Sequence, residues 1–361
     1  MTIEFIGFAS TKEYSESGGT ADGPVVDPAY LRAVATAHEE SGFEQVLIAH
    51  SSASPDGFVI ADQVLTATER LAVLLAHRPG FLAPTLAARS YATLDAFHPG
   101  RIAMHVITGG DDADQARDGD FSDKPTRYAR TDDFLTVVRK AWESEKPFDH
   151  EGDFYRVAQG WSSVRPARPI PVYFGGASGD AVRVGGKHAD VYAFWGEPLA
   201  GIAERIREVR AAAAPYGRQT RFSVSLRPIV ADTEEQAWAK AEEILERAKE
   251  RAGGPQPGFK NLDHQQQEGS KRLLDAAAKG DVHDKRLWTS VAKVTGAAGN
   301  STALVGTHEQ VADALLDYVD LGVSTLLIRG FEPLADAIAY RTVIDLVREG
   351  AARRTPVAAS A

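Results

Sequence analysis

The chain has 361 residues, with 40 lysines and arginines against 50 aspartates and glutamates, a formal charge of −10, and no cysteine. An acidic excess disfavours non-specific binding to nucleic acid or anionic membrane, since both require a basic surface. Without cysteine there are no disulfides, thiolate nucleophiles, cysteine-held metals or iron–sulfur clusters, so redox chemistry would need a bound organic cofactor.

Residues 1–8 carry no basic leader and read as a strand, no apolar run approaches the roughly 18–20 residues of a membrane span, and a cytoplasmic protein is expected. Short apolar and β-branched runs then alternate with helical patterns. Strands are predicted at Ile3–Ala9, Gln45–Ala49, Leu71–Ala76, Ile102–Ile107, Pro171–Phe174, Val191–Trp195, Phe222–Ala231 and Thr325–Ile328. Helices are predicted from Asp27-Pro28 to Glu40, near Asp56–Thr68, and over Pro84–Phe97, where His98-Pro99-Gly100 ends the run. Further helices are expected over Tyr128–Glu145, from Gly179, over Leu199–Ala214, Thr233–Ala252 and Ser301–Leu321, and from Leu334 to Arg348. Phe148–Val157 reads as a hairpin turning at Glu151-Gly152-Asp153. The stretch Thr355–Ala361 reads as a frayed tail.

Eight strand–helix units imply parallel strands with right-handed crossovers. The expected fold class is α/β, a single (β/α)8 TIM barrel over residues 1–361. The glycine-rich dinucleotide loop of an open sheet is missing, because Phe8-Ala9-Ser10-Thr11-Lys12 follows the first strand. Two insertions, about 111–126 and 253–300, follow the fourth and seventh strands and are expected over the C-terminal mouth, the second as a mobile lid.

In such a barrel, chemistry lies at the carboxyl ends of the strands. The turn Tyr173-Phe174-Gly175-Gly176-Ala177-Ser178 ends a strand and opens a helix, where backbone N–H groups and the helix dipole suit a phosphate; an ordinary tight turn is the alternative. Trp195 can wall a planar ligand or simply pack the barrel top. Arg227 suits a sulfonate, phosphate or carboxylate, or else pairs with a neighbouring acid. His50 beside Ser51, Ser52 and Ser54 lacks the Gly-x-Ser-x-Gly elbow of a hydrolase, and the histidines show no metal spacing. The alternating charges of Glu234–Arg251 form a solvated helix face.

The blocks Arg78-Pro79, Pro84-Thr85-Leu86-Ala87-Ala88-Arg89, Ala92-Thr93-Leu94-Asp95, Gly100-Arg101, Val106-Ile107-Thr108-Gly109, Arg127-Tyr128, Tyr173–Ser178, Trp195-Gly196-Glu197-Pro198 and Thr302–Gly306 occur in order along the chain. Together they resemble the bacterial luciferase-like flavin monooxygenases, most nearly the FMNH2-dependent alkanesulfonate monooxygenases. The resemblance implies reduced FMN supplied by a separate NAD(P)H-dependent FMN reductase, O2 as co-substrate, and C–S cleavage to sulfite and an aldehyde. It also implies a homodimer or homotetramer. By motif position Tyr128, Gly176, Ala177 and Ser178 would hold the FMN phosphate, and His105 and Thr108 would line the ribityl and ring side; the family usually carries Asn at His105.

The departures fall at the substrate end. The Arg-x-His pair of the sulfonate enzymes becomes Ser225 and Arg227, a loop Arg becomes Thr295, a Tyr becomes Phe331, and a Cys near the mouth becomes Ser54. Arg227, Trp195 and Ser54 are therefore the candidate catalytic residues, with Arg227 able to replace a lost positive charge. The leading expectation is a monooxygenase of organosulfur compounds. The alternatives are oxygenation of carbon or nitrogen in another small molecule, a flavin-binding protein without turnover, and a deazaflavin-dependent oxidoreductase.

Overall fold

A computed structural model describes residues 2–20, 23–253, 267–297, 299 and 301–354. Its principal parallel strands are β1 (Glu4–Phe8), β2 (Gln45–Ile48), β3 (Ala72–His77), β4 (Ile102–Val106), β5 (Val172–Gly175), β6 (Val191–Trp195), β7 (Arg221–Val230) and β8 (Thr325–Ile328). They follow one another in the sheet as β6-β5-β4-β3-β2-β1-β8-β7, and the fold is a (β/α)8 barrel. The helices are α1 (Pro28–Glu40), α2 (Gly57–Ala67), α3 (Pro84–Phe97), α4 (Lys124–Glu143), α5 (Gly179–His188), α6 (Leu199–Ala213), α7 (Glu234–Gly253), α8 (His308–Asp320) and α9 (Pro333–Arg353). Among the described residues no helix is long and apolar enough to cross a membrane.

Two compact units divide the chain, one of Met1–Val46, Ala193–Glu208 and Arg221–Ala361, the other of Leu47–Tyr192 and Val209–Thr220. In the first, β8 lies between β1 and β7, with Phe5 and Val224 both opposite Leu326. All four residues of β8 are buried, as expected of a parallel strand covered on both faces. β7 also pairs with β6, and its ten residues serve two further neighbours. Ser223–Leu226 pair with β8, and Arg227–Val230 pair with a further parallel strand, Ala303–Gly306. That strand lies where the sequence predicted only a helix; its run Ala-Leu-Val-Gly is too short for its period to tell. The helix begins after it, at His308, behind a capping box of Thr307 and Gln310. The α7 residues Ala237, Ala241, Ile244, Leu245 and Ala248 form an apolar stripe against Ile229, Val305, Trp288 and Phe331, and the charged residues occupy its other face.

In the second unit, Val73–His77 of β3 pair with Ile102–Val106 of β4, and Met104–Val106 pair with Val172–Phe174 of β5. Behind these strands Phe58, His77, Tyr91, Phe134 and Trp142 make a chain of ring contacts, with His77 stacked on Phe134 at 5.2 Å. The helix α4 begins at Lys124 rather than Tyr128, because Asp123 caps it through Thr126 N and Pro125 occupies its first turn. The expected hairpin is present as Phe148–Glu151 and Arg156–Gly160, fastened by Asp133, which accepts from Phe154 N and Tyr155 N at 2.9 Å and meets His150 Nε2 at 2.5 Å.

Within the insertions, 111–126 contains a short helix, Asp112–Arg117. Of 253–300, the described part contains helices Glu268–Lys279 and Ser290–Thr295 and the short strands Val282–His283 and Leu287–Trp288. Residues 254–266, 298 and 300 of the expected lid, and the tail 355–361, lie outside the described residues.

Gly186 on α5 allows close approach to α6, since a Cβ there would stand 2.7 Å from the Ala212 carbonyl carbon. Backbone cannot swing aside as a side chain can. Gly186→Ala is expected to cost about 1–3 kcal/mol, read as a lower urea midpoint at unchanged slope.

Candidate active site

The turn after β5 is shaped by Gly176, whose φ is +135°, a conformation that disfavours any residue with a Cβ. A Cβ there would also lie 2.7 Å from Ala181 Cβ and 3.1 Å from the Tyr128 hydroxyl. Ser178 caps α5 by accepting from Ala181 N at 3.3 Å, and its side chain also hydrogen-bonds the Tyr128 hydroxyl. Burial raises the Tyr128 pKa above its ordinary value against that bond, so the group is a neutral phenol. From below, the Tyr192 hydroxyl donates to the Gly176 carbonyl at 2.8 Å. Tyr128, Gly176, Ala177 and Ser178 are thus brought to one place, a tight turn with two hydroxyls at the start of a helix.

At the end of β4, Thr108 is buried, with its hydroxyl 3.5 Å from that of Thr131. His105 lies opposite Tyr173 of β5, three positions before Gly176. Its Nδ1 is sealed from solvent without a hydrogen-bond partner, and burial lowers its pKa to about 4, so the imidazole is neutral. Gly109 (φ +89°) faces Gln115, whose amide would sit 1.9 Å from a Cβ at that position. Gln115 is 1% exposed, and neither end of its amide has a hydrogen-bond partner. Its role was not legible in the sequence, where 111–126 shows no period to mark an inward residue.

Buried arginines hold this insertion. Arg78 pairs with Asp114 and, at 3.4 Å, with Asp118. Asp114 also accepts from Ser52 Oγ at 2.6 Å and Ser52 N at 3.1 Å. Burial pushes the Asp114 carboxyl up, but the Ser52 bonds and Arg78 outweigh it and leave the pKa below the ordinary value. Arg127 bonds Asp112 at 2.6 Å and the Gly109 carbonyl at 3.3 Å, and Arg130 pairs with Asp120. Ser54 is engaged locally, its hydroxyl 3.0 Å from that of Ser51 and accepting from Ser51 N at 3.0 Å. His50 is half-buried; desolvation, then the Arg78 charge, lower its pKa.

The other unit presents its own group at the ends of β1, β7 and β8. Arg227 donates from Nε to Glu16 Oε2 at 2.9 Å and lies 2.7 Å from Oε1 through Nη2. Arg329, just past β8, reaches Glu16 Oε2 at 2.9 Å and lies over the Phe8 ring with Cζ 4.0 Å from its centre. The two guanidinium groups hold the Glu16 pKa below its ordinary value although burial alone would raise it. Glu16, in the turn between short strands Tyr14–Ser15 and Gly19–Thr20, carries no sequence signal: its partners are 211 and more residues away.

Trp195 is partly exposed and packs against the helix Glu268–Lys279, where Gly269 lets it approach; a Cβ there would lie 3.0 Å from the indole. The same helix is clamped by Arg272, which bonds both oxygens of buried Glu197 at 2.7–2.9 Å and Glu204 at 3.0 Å. Thr295 bonds the Val291 carbonyl of its own helix, and Phe331 is buried in the apolar cluster around Ile229.

Three imidazoles, His38, His77 and His105, have pKa values lowered to about 4 by burial. The folded state binds fewer protons than the unfolded one between pH 4 and about 6.5, so stability rises with pH across that window and is lost as pH falls through it. Each group should contribute a slope of at most about 1.4 kcal/mol per pH unit. Urea unfolding at pH 5 and pH 7.5 checks this, with greater stability at pH 7.5 expected.

A model of the luciferase-like monooxygenase family matches residues 3–325. Among solved structures, a riboflavin lyase, crystallised with modified FMN and riboflavin, superposes with a TM-score of 0.79 at 21% identity, covering 97% of this chain and 92% of that one. An EDTA monooxygenase from Chelativorans sp. BNC1 gives 0.78 at 20%, over 97% and 94% of the two chains. DmoA from Hyphomicrobium sulfonivorans gives 0.78 at 20%, over 97% and 89%. At these identities the likeness is one of fold.

Proposed function

Because the chain belongs to the luciferase-like monooxygenase family, and so to the flavin-dependent monooxygenases, we propose that it is the oxygenase of a two-component system acting on a small organosulfur compound. A separate NAD(P)H-dependent reductase would supply reduced FMN. For an alkanesulfonate the balance is RCH2SO3⁻ + O2 + FMNH2 giving RCHO + HSO3⁻ + FMN + H2O, one oxygen atom entering the aldehyde and the other leaving as water.

The observation that carries this reading is the turn at Gly176. Its missing Cβ leaves room beside the Tyr128 and Ser178 hydroxyls at the start of α5, and a phosphate is the group such a turn accommodates. The unpartnered Gln115 amide and His105 Nδ1 offer polar contacts of the kind a ribityl chain and a flavin ring edge require. The residues therefore fit FMN. Tyr128, Gly176, Ala177 and Ser178 would hold its phosphate, with His105 and Thr108 along the rest. Bound reduced FMN supplies the electrons that activate O2. Trp195 would exclude water beside the ligand. Arg227 would orient an anionic substrate, and the neutral His105 can donate or accept one hydrogen bond without adding charge. Ser54, tied to Ser51, would shape the wall rather than move a proton.

A second reading, oxygenation of carbon or nitrogen in another molecule, is favoured by Phe331 and Thr295. The first lies in the apolar core and the second bonds its own helix, so neither replaces the substrate-side Tyr and Arg of the sulfonate enzymes.

Supplied with FMN, a flavin reductase, NADH and O2, the protein should release sulfite from at least one short alkanesulfonate, sulfinate or sulfone, with matching oxygen uptake. An inert panel with FMN still bound would remove the organosulfur reading. Gly176→Ala should weaken anaerobic binding of reduced FMN about tenfold or more, the loss of one charge-assisted bond worth about 1.5–3 kcal/mol, and should also lower the melting temperature, since φ +135° and the Ala181 contact disfavour a Cβ there. Unchanged affinity would dissociate the turn from the phosphate, and preference for a deazaflavin would replace the cofactor.

A further inference from the structure

The group Arg227–Glu16–Arg329 has more positive charge than it needs for its own cohesion. One carboxylate is shared by two guanidinium groups, both within 2.9 Å of it. Arg251, which is exposed, donates to the Glu16 carbonyl at 2.9 Å and stands outside the buried pair. Arg227 is 4% exposed, and its Nη1 is sealed from solvent without a hydrogen-bond partner; so is Nε of Arg329. A charged donor buried without an acceptor is costly. A water molecule would satisfy the N–H groups but leave the excess charge. Burial bears on Arg329 strongly enough to pull its pKa below the ordinary arginine value.

We propose that Arg227 and Arg329, held in place by Glu16, bind a singly charged oxyanion group of the substrate, a sulfonate, sulfinate or carboxylate. One negative charge neutralises the pair and its shared carboxylate, and its oxygens provide acceptors for Arg227 Nη1 and Arg329 Nε. Glu16 has two effects. By occupying Nε and Nη2 of Arg227 it fixes the plane of that guanidinium, and by removing one charge it disfavours dianions such as sulfate. Arg329 is further held by the Phe8 ring, which keeps its guanidinium flat against the end of β1. Naming this anion a substrate group rests on the monooxygenase reading; the affinity for it does not.

Isothermal titration of the full-length, flavin-free chain with methanesulfonate, acetate, inorganic sulfate and neutral dimethyl sulfone tests the site. Methanesulfonate or acetate should bind at least about tenfold more tightly than dimethyl sulfone, and Arg329→Met should erase that margin, as loss of one charge-assisted bond implies. Glu16→Gln should shift the preference toward sulfate. Wild-type protein that binds no anion better than the sulfone overturns the site, as does a folded Arg329→Met protein with undiminished affinity. If Arg329→Met does not fold, the Glu16→Gln shift decides, and its absence overturns the site. Anion binding without oxygen-dependent turnover of any substrate would leave the site and remove the monooxygenase reading. Turnover of neutral substrates without anion binding would do the reverse.

Discussion

The first insertion, 111–126, has little apolar surface, and the hydrophobic effect alone gives it no reason to adopt one arrangement. Buried arginines supply it. Arg78, Arg127 and Arg130 draw Asp114, Asp112 and Asp120 of the first insertion into place. In the other unit Arg272 holds Glu197 and Glu204, and Arg227 with Arg329 holds Glu16. Each pair has its guanidinium or its carboxylate largely out of water, where breaking it would strand a charge. Loops tied this way keep their polar groups in fixed positions.

The sequence predicted the eight barrel strands because parallel strands covered on both faces are continuous apolar runs, as at Thr325–Ile328 and Val172–Phe174, and because Pro28 and Pro84 mark helix starts. It did not predict the strand Ala303–Gly306, which is apolar but only four residues long, nor the onset of α4, where the cap at Asp123 precedes any periodic residue. The turn proposed for phosphate could be picked out in the sequence because Gly176 and Ser178 stand only two positions apart in the chain. The Glu16–Arg227–Arg329 group could not, although Arg227 itself stood out. A charge pair spanning more than two hundred residues leaves no local pattern, and Glu16 sits in a short hairpin whose purpose is apparent only through its partners.

Family membership and site chemistry divide along the same line. The elements expected to serve the flavin, the Gly176 turn and the end of β4, keep the residue types of the motif except at His105, where the family usually carries Asn. Of the residues expected to face the substrate, Phe331 lies in the apolar core and Thr295 bonds its own helix. Positive charge gathers instead at Arg227 of β7 and Arg329 past β8. The acidic balance of the whole chain makes that local excess more distinctive, because it is built against the average field of the protein.

The bond from Tyr192 to the Gly176 carbonyl sets the direction of a dipole. A trans peptide is planar, with its C=O and N–H pointing opposite ways, so fixing that oxygen beneath the turn turns the Ala177 N–H to the opposite side. A single phenol on the next strand therefore decides which sign of partial charge the turn presents. Were the peptide to rotate, the same residues in nearly the same positions would offer an oxygen where a hydrogen had been, and the turn proposed for phosphate would repel it.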